Sequence, residues 1–332
     1  MSRTAPEVEL DGQYRALREE AGFLPRRRSS LLVTGKDATE YLQGQLTNDI
    51  EALEASQGCY AALLDRKGHI EADMRVLHID GPFSASRPGG PRMTGHLSLD
   101  LEPGPAGAAL KHLRTYSIGR NVEVEDVSDR WAIVSLIGPR APELAGTEGL
   151  GPEHAQRPCE TAGVEVLAVA TDLGVDLITR SEQVESLRES LAASGAAEVS
   201  EAAAEILRVE SGRPRFGLDM DAGSMPAEAG IVERAVSFEK GCYIGQEPVA
   251  RLHYKGKPNR RLRGLRLSAA AEHGETLRLG DREVGTVGTA VLSPSLGPIA
   301  LAVIRREAEE RDVLTVGEAG ATAEVSDLPF AA

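Results

Sequence analysis

The chain has 332 residues, of which 41% are hydrophobic, 27% charged and only 4% aromatic, and its formal net charge is −14. These values are typical of a globular protein of about two or three domains with an aliphatic core, and the negative charge argues against broad non-specific binding of nucleic acids. The apolar runs are too short to span a bilayer, and the N-terminus lacks the apolar region of a secretory signal. Three isolated cysteines argue against a disulfide scaffold and indicate a reducing compartment, so we expect a cytoplasmic protein.

The first third of the chain predicts helices that alternate with strands. Residues 12–24 carry apolar residues at helical spacing, "SSLLVTG" has the composition of a strand, and "DATEYLQGQL" begins with the spacing of a helix capping box. In "HIEADMRV", Ile70, Ala72, Met74 and Val76 alternate with polar residues, which predicts a half-buried strand with Asp73 on its polar face. Residues 81–107 contain eleven Gly or Pro, so we expect a loop that holds one short strand, "HLSLDL".

Helices and then short strands follow in the second half. "EQVESLRESLAASG" and "EAAAEILRVESG" predict two helices that end at Gly195 and Gly212. Beyond about residue 258, short apolar segments separated by Gly, Asp and Pro predict a small antiparallel β-barrel.

A basic stretch without acidic residues leads into this barrel. No Asp or Glu lies between Glu247 and Glu272. Two interpretations remain open: a solvated strand-and-turn surface, or a site for an anionic ligand such as a carboxylate-bearing tail or RNA. The basic residues of this stretch are Arg251, Lys255, Lys257, Arg260, Arg261, Arg263 and Arg266.

Metal-binding patterns are weak in this sequence. The histidines stand apart, and no pair of cysteines has the spacing of zinc ligands. His69, Glu71 and Asp73 share one strand face, but such a row is more typical of a solvated surface. We therefore expect no stable metal.

Two acidic residues are candidates for a site. Asp73 is either a surface acid or a carboxylate that faces a cleft. Glu210 lies near the C-terminal end of a predicted helix, where an acid is unfavourable. It therefore needs a partner, such as Arg208 or Arg213, or a ligand that presents two parallel N–H donors to its carboxylate.

The segment "KGCYIGQE", residues 240–247, places a thiol between a lysine and an aromatic residue. Taken alone, Cys242 is either an inert small side chain or a thiolate favoured by the nearby Lys240. With its flanks, the segment resembles the YgfZ branch of the family related to the glycine-cleavage T-protein, an aminomethyltransferase. The resemblance extends over about residues 30–305 and includes, in order, "YLQGQLTNDI", "LLDRKGHIEADMRV", "ILRVESGRPRFGLDM" and "VGTVGTAVLSPSLGPIALAVIRRE".

The resemblance implies a fold and a domain division. The fold class is α+β, a three-lobed T-protein-like ring with interleaved α/β lobes and a small antiparallel β-barrel at the C-terminus. Residues 1–256 would form the folate-binding, aminomethyltransferase-like region, and residues 257–332 the barrel.

The resemblance also implies tetrahydrofolate, or a derivative of it, as the cofactor. By similarity to T-proteins, Asp73 would lie beside the reactive pterin nitrogens and Glu210 would hold the amino-pyrimidine edge of the pterin. Cys242, Lys240 and Asp73 are then the candidate catalytic residues. The candidate cofactor-binding residues are Asp73, Glu210, Asn48, Lys240, Tyr243 and Gln246.

Three functions remain open at this stage. The first is a tetrahydrofolate-binding protein that acts in iron–sulphur cluster assembly or repair, with Cys242 as its working thiol. Its partners would be iron–sulphur enzymes or cluster assembly proteins, including enzymes that modify tRNA. The second is a folate-dependent aminomethyl or one-carbon transferase, so the sequence does not decide whether the protein is an enzyme. The third is an RNA-binding or scaffold protein, which the net charge disfavours.

Overall fold

The structure is a computed structural model and describes residues 5–79, 83, 96–318 and 320–331. The chain divides into two units. The first unit comprises Met1–Leu64, Glu71–Ser200 and Arg234–Ile244, and the second comprises Asp65–Ile70, Glu201–Glu233 and Gly245–Ala332. In chain order the elements of the first 200 residues are α1 (Ala5–Glu19), β1 (Gly22–Arg26), β2 (Ser29–Thr34), α2 (Ala38–Gln45), β3 (Gly58–Leu64), β4 (Ile70–Ile79), β5 (His96–Leu101), α3 (Pro103–Tyr116), β6 (Glu123–Asp126), β7 (Trp131–Ile137), α4 (Ala141–Ala145), β8 (Gln156–Thr161), β9 (Val164–Ala170), β10 (Gly174–Arg180), α5 (Val184–Ala193) and β11 (Ala197–Glu198). The later elements are α6 (Glu201–Glu210), α7 (Val232–Ala235), α8 (Gln246–Lys255), β12 (Arg260–Leu267), β13 (Thr276–Leu279), β14 (Arg282–Thr286), β15 (Ala290–Ser293), β16 (Gly297–Arg305), β17 (Val313–Val316) and β18 (Ala321–Ser326).

A five-stranded sheet in the order β3-β4-β5-β2-β6 forms one half of the first unit. Apolar residues of α2 and α3, among them Tyr41 and Leu113, pack with this sheet in one core. The alternation predicted for β4 is confirmed, because Ile70, Ala72 and Met74 are buried there while the residues between them are only partly buried.

A six-stranded sheet in the order β11-β1-β7-β10-β9-β8 forms the other half of the first unit. The predicted helix over residues 12–24 is wrong at its C-terminal end, because α1 ends at Glu19 and β1 begins at Gly22. β1 pairs with β7 and β11, and this pairing buries Phe23 and Leu24. Tertiary pairing thus outweighs the helical spacing of these residues.

The loop predicted for the Gly/Pro-rich residues 81–107 is wrong at its C-terminal end. The short strand predicted at "HLSLDL" is confirmed as β5, whereas α3 begins at Pro103, inside the predicted loop. Proline is favoured in the first turn of a helix, where its missing N–H costs nothing. The part of the predicted loop at residues 81–82 and 84–95 lies outside the described residues.

A closed barrel forms most of the second unit. Its strands follow the order β12-β18-β17-β13-β14-β16, and pairing between β12 and β16 closes the ring, while β15 pairs with β16. Leu265, Leu277, Ile304 and Leu314 are among the buried residues that fill it. The α+β class and the C-terminal antiparallel barrel predicted from the sequence are confirmed.

The predicted domain boundary at 256/257 falls between the end of α8 and the start of β12, and it stays a prediction. Within the described residues, no helix combines the length and the apolar composition that crossing a bilayer would require.

Candidate functional site

The segment that carries Cys242 is bonded to the turn that follows α2. The Thr47 hydroxyl donates to the carbonyl of Ala235 at 2.5 Å and accepts from the Ala62 backbone N–H at 2.8 Å. The Asn48 side-chain amide donates to the carbonyls of Tyr60, at 2.8 Å, and Arg234, at 3.1 Å. Two short polar side chains thereby join strand β3 to the segment 234–244.

Lys240 makes the largest number of these hydrogen bonds between the segment 234–244 and the end of α2 with its following turn. Its Nζ donates to the backbone carbonyls of Gln43, Leu46 and Asn48 at 2.6, 2.7 and 2.8 Å, and the residue is only 8% exposed. Burial lowers the pKa of Lys240 to about 8, although the negative charge of Asp49 opposes this shift. The ammonium form therefore prevails at neutral pH, and all three of its donors are occupied.

The thiol of Cys242 is exposed, whereas Cys59 and Cys159 are partly buried. Burial raises the pKa of the Cys59 thiol to about 12, although the charge of Lys240 opposes that shift. Cys59 is therefore protonated at neutral pH. Three carbonyl groups hold the Lys240 ammonium two residues before Cys242, and the contact of Lys240 with a ligand stays a prediction.

Tyr243 is buried, whereas the preceding Cys242 is exposed. It is 7% exposed, and the Lys240 Nζ lies 5.1 Å from the centre of its ring. Its hydroxyl is buried without a hydrogen-bond partner among the described residues, and burial raises the pKa of Tyr243 to about 12. The segment thus turns Lys240 and Tyr243 inward and leaves Cys242 outward.

Asp73 keeps one carboxylate oxygen free. The Tyr60 hydroxyl donates to Asp73 Oδ2 at 2.6 Å, whereas Oδ1 is buried and has no hydrogen-bond partner within the described parts of the chain. Burial raises the pKa of Asp73, and the bond from Tyr60 and the charge of Arg28 oppose that shift. Burial, and then the charge of Asp73, raise the pKa of Tyr60 well above its ordinary value.

A buried network of charges that the sequence did not predict surrounds this carboxylate. Arg75 contacts Asp100 at 2.6 Å and Asp176 at 2.8 Å, and Arg28 Nε donates to Asp100 Oδ1 at 2.7 Å. Arg75 follows Asp73 by two residues on β4, so both side chains lie on the same face of the sheet. The polar face of β4 in the sequence was the only signal that could have indicated this network.

Glu210 belongs to the second unit and has partners from the barrel. It is the last residue of α6 and is 7% exposed. The Ser293 hydroxyl donates to its Oε1 at 2.6 Å, and Ser295 Oγ lies 3.4 Å from the same oxygen. Arg208, one of the two partners expected from the sequence, donates instead to Asp219 at 2.7 Å. Both serines were missed, because they follow Glu210 by more than 80 residues.

Gln246 also belongs to the second unit. It is half-buried at the start of α8, and the preceding Gly245 has a φ of 81°, a left-handed conformation that favours glycine. A side chain at Gly241, by contrast, would meet no neighbouring atom within 4 Å. The backbone therefore favours glycine at position 245, whereas position 241 has room for a side chain.

The three residues that share a strand face at His69 have separate partners. His69 contacts Asp65 at 3.2 Å, and Glu71 contacts His112 at 3.2 Å, while Asp73 is bonded as described above. The described residues contain no group of three His, Cys, Asp or Glu side chains arranged to hold a metal ion.

Two family models match the chain. The GCVT N-terminal domain matches residues 9–240, and the glycine cleavage T-protein C-terminal barrel domain matches residues 260–331. An aminomethyltransferase of Rubrobacter xylanophilus is 27% identical over 97% of this chain and 86% of its own length. The tRNA-modifying protein YgfZ of Yersinia pestis is 30% identical over 90% of this chain and 88% of its own length.

A solved structure shows the same fold. The glycine cleavage system aminomethyltransferase T from Bartonella henselae superposes with a TM-score of 0.83 and 21% identity, over 97% of this chain and 89% of that one. The predicted T-protein type of fold is therefore confirmed.

Proposed function

Because the chain belongs to the glycine cleavage T-protein family and is a YgfZ-type member of it, we propose that it binds tetrahydrofolate and acts in iron–sulphur cluster assembly or repair, with Cys242 as the working thiol. Its partners are then iron–sulphur enzymes or cluster assembly proteins of the cytoplasm. An effect on tRNA modification would follow through enzymes that carry such clusters.

The observation that supports this function most directly is the position of Cys242. Of the three cysteines it is the exposed one, and it lies between two residues that are fixed inside the first unit. A thiol held in this way can meet a protein client. As a thiolate it is a ligand for iron and an acceptor for sulphur. One cysteine does not hold a stable cluster, so the cluster would be cargo.

Each unit, taken by itself, presents a carboxylate that suits a part of the proposed cofactor. Asp73 Oδ1 is a buried acceptor without a partner among the described residues, and such a group is costly unless a ligand N–H reaches it. Glu210 offers a carboxylate that Ser293 orients, and a carboxylate suits two parallel N–H donors. Tetrahydrofolate, when bound, carries one-carbon units on its reduced pterin nitrogens.

A second function, one-carbon transfer to or from folate, is favoured by the same free oxygen of Asp73. A buried carboxylate with a raised pKa is a candidate to hold or accept a proton. Turnover of an aminomethyl or methylated amine donor by the purified protein would favour this function over cluster maintenance.

The first test compares Cys242→Ser with the matched control Cys159→Ser, in cells that lack the native gene. We expect Cys242→Ser to lose the activity of a four-iron-cluster enzyme under oxidative stress while tetrahydrofolate binding is kept. We expect Cys159→Ser to behave like wild type, because Cys159 is partly buried in β8. Full activity of Cys242→Ser would remove the thiol from the proposal.

The folate part has its own test in Glu210→Gln. Glutamine keeps an acceptor for Ser293 but loses the charge, so we expect tetrahydrofolate to bind about tenfold more weakly or worse, at unchanged thermal stability. Equilibrium binding to the purified variant measures this. Unchanged affinity would contradict the assignment of Glu210.

A further inference from the structure

A basic cleft lies on the barrel of the second unit. Its volume is about 490 Å³, which is within the range of small-molecule sites. Arg261 and Arg263 of β12 contribute to its wall. The other basic residues of the wall are Lys257, Arg305 at the end of β16 and Arg306 directly after it. The cleft therefore gathers five cations from three short parts of the chain.

Most of these cations have side chains without a partner in the described part of the chain. Arg263 contacts Asp327 at 2.6 Å, whereas Lys257, Arg261, Arg305 and Arg306 make no side-chain hydrogen bond or ion pair with any residue that the structure describes. In a chain with 51 acidic and 37 basic residues, such a concentration of unpaired positive charge is not explained by composition.

Strand pairing keeps the basic residues at this end of β12 and β16 close together. Arg260 lies directly opposite Arg305 in the ladder between β12 and β16, and Arg261 lies opposite Ile304. The Arg306 N–H donates to the Asn259 carbonyl at 2.9 Å, so the arginines stay close together.

Three carboxylates limit which anion fits. Glu307, Glu309 and Glu310 border the same cleft, and Arg282 neutralises only Glu307, at 2.9 Å. Together with the net charge of −14, they repel a long polyanion such as RNA. A compact anion contacts the arginines without crossing the acidic border. The planar guanidinium fork suits phosphate oxygens in pairs.

We propose that this cleft binds a small molecule that carries two or more linked phosphate groups. The site is separate from Glu210. β16 is nine residues long, so Gly297 and Arg305 lie about 26 Å apart along the strand. Gly297 pairs with Ser293, the partner of Glu210, so the cleft and Glu210 lie at opposite ends of β16. The proposal therefore does not depend on folate binding.

Calorimetric titration of the full-length protein with inorganic tripolyphosphate at low ionic strength tests the proposal. We expect saturable binding to wild type, and we expect Arg305→Gln and Arg306→Gln each to weaken it by about tenfold or more. Arg278→Gln is the matched control, because Arg278 lies on β13 of the same barrel but not in the cleft. It should bind within about twofold of wild type, and the unfolding temperatures of all four proteins should agree.

Several results would overturn the proposal. Binding that does not saturate, or that Arg278→Gln weakens as much as the cleft variants do, would mean adventitious attraction only. Tighter binding of a triglutamate peptide would assign the cleft to a carboxylate ligand, and tighter binding of an RNA oligonucleotide would assign it to nucleic acid. Weaker binding of both competitors would support the phosphate assignment.

Discussion

Replacement of Lys240 by methionine should destabilise the protein by about 3 kcal/mol. The variant leaves the carbonyls of Gln43, Leu46 and Asn48 without their donor, at about 1–3 kcal/mol each when buried. Removal of the buried charge returns part of this loss. The desolvation that lowers the pKa of Lys240 from 10.5 to about 8 corresponds to about 3 kcal/mol.

Urea unfolding of Lys240→Met measures this loss, and Lys255→Met is the matched control. Lys255 is exposed at the end of α8, so its replacement should change the free energy of unfolding by less than about 0.5 kcal/mol. Equal stabilities of the two variants would refute the conclusion that the carbonyl bonds of Lys240 hold the segment 240–244.

The pH dependence of the free energy of unfolding tests the burial of Lys240 independently, because the direction of the change is defined. The pKa of Lys240 is about 8 in the folded protein and 10.5 in the absence of burial. Between these values the unfolded chain holds a proton that the folded chain has released, so wild-type stability should rise relative to Lys240→Met as the pH increases. The relative gain should be lost again as the pH falls through 8.

Three further predictions concern neighbouring residues. Gly245→Ala should lower the free energy of unfolding by about 1–2 kcal/mol, because Gly245 has a left-handed backbone conformation. Gly241→Ala should lower it by less than about 0.5 kcal/mol, because the new side chain would stand in open space. Equal losses of the two variants in denaturant unfolding would contradict this. Asp73→Asn should raise the unfolding temperature at pH 7, because burial raises the pKa of Asp73 and so makes its charged form costly. The same variant should weaken folate binding. A lower unfolding temperature would contradict the cost of the buried charge. Iodoacetamide at about pH 8 should modify Cys242 before Cys59, whose pKa burial raises to about 12, and peptide mass spectrometry showing Cys59 modified first would disprove the order.

Residue patterns within short segments predicted the elements that depend mainly on their own sequence. The alternation of apolar and polar residues predicted β4, and short apolar segments separated by Gly, Asp and Pro predicted the barrel; the structure contains both. The end of α1 was misplaced because Phe23 is placed by β7, which is distant in sequence. The start of α3 was missed because Pro103 contributed to the Gly and Pro content that predicted a loop, although it occupies a first-turn position of the helix.

The candidate residues could be named from the sequence, but their contacts could not. Lys240 reaches carbonyls that precede it by more than 190 residues, and no periodicity carries such information. The same holds for Ser293, which reaches Glu210 from the barrel. Proximity in sequence suggested that Lys240 acts on Cys242, whereas the structure gives its three donors to the backbone.

The arrangement of residues 240–243 distinguishes a held segment from an ordinary turn. A solvated turn would also expose Cys242, and it would do so without burying a lysine or a tyrosine hydroxyl. Here Lys240 is desolvated and Tyr243 keeps a buried hydroxyl without a partner among the described residues, and both conditions are costly. Neither cost is needed to expose a thiol, but both residues restrict its motion. A restricted thiol loses less conformational entropy when a client binds, which suits the proposed role of Cys242 in cluster assembly or repair.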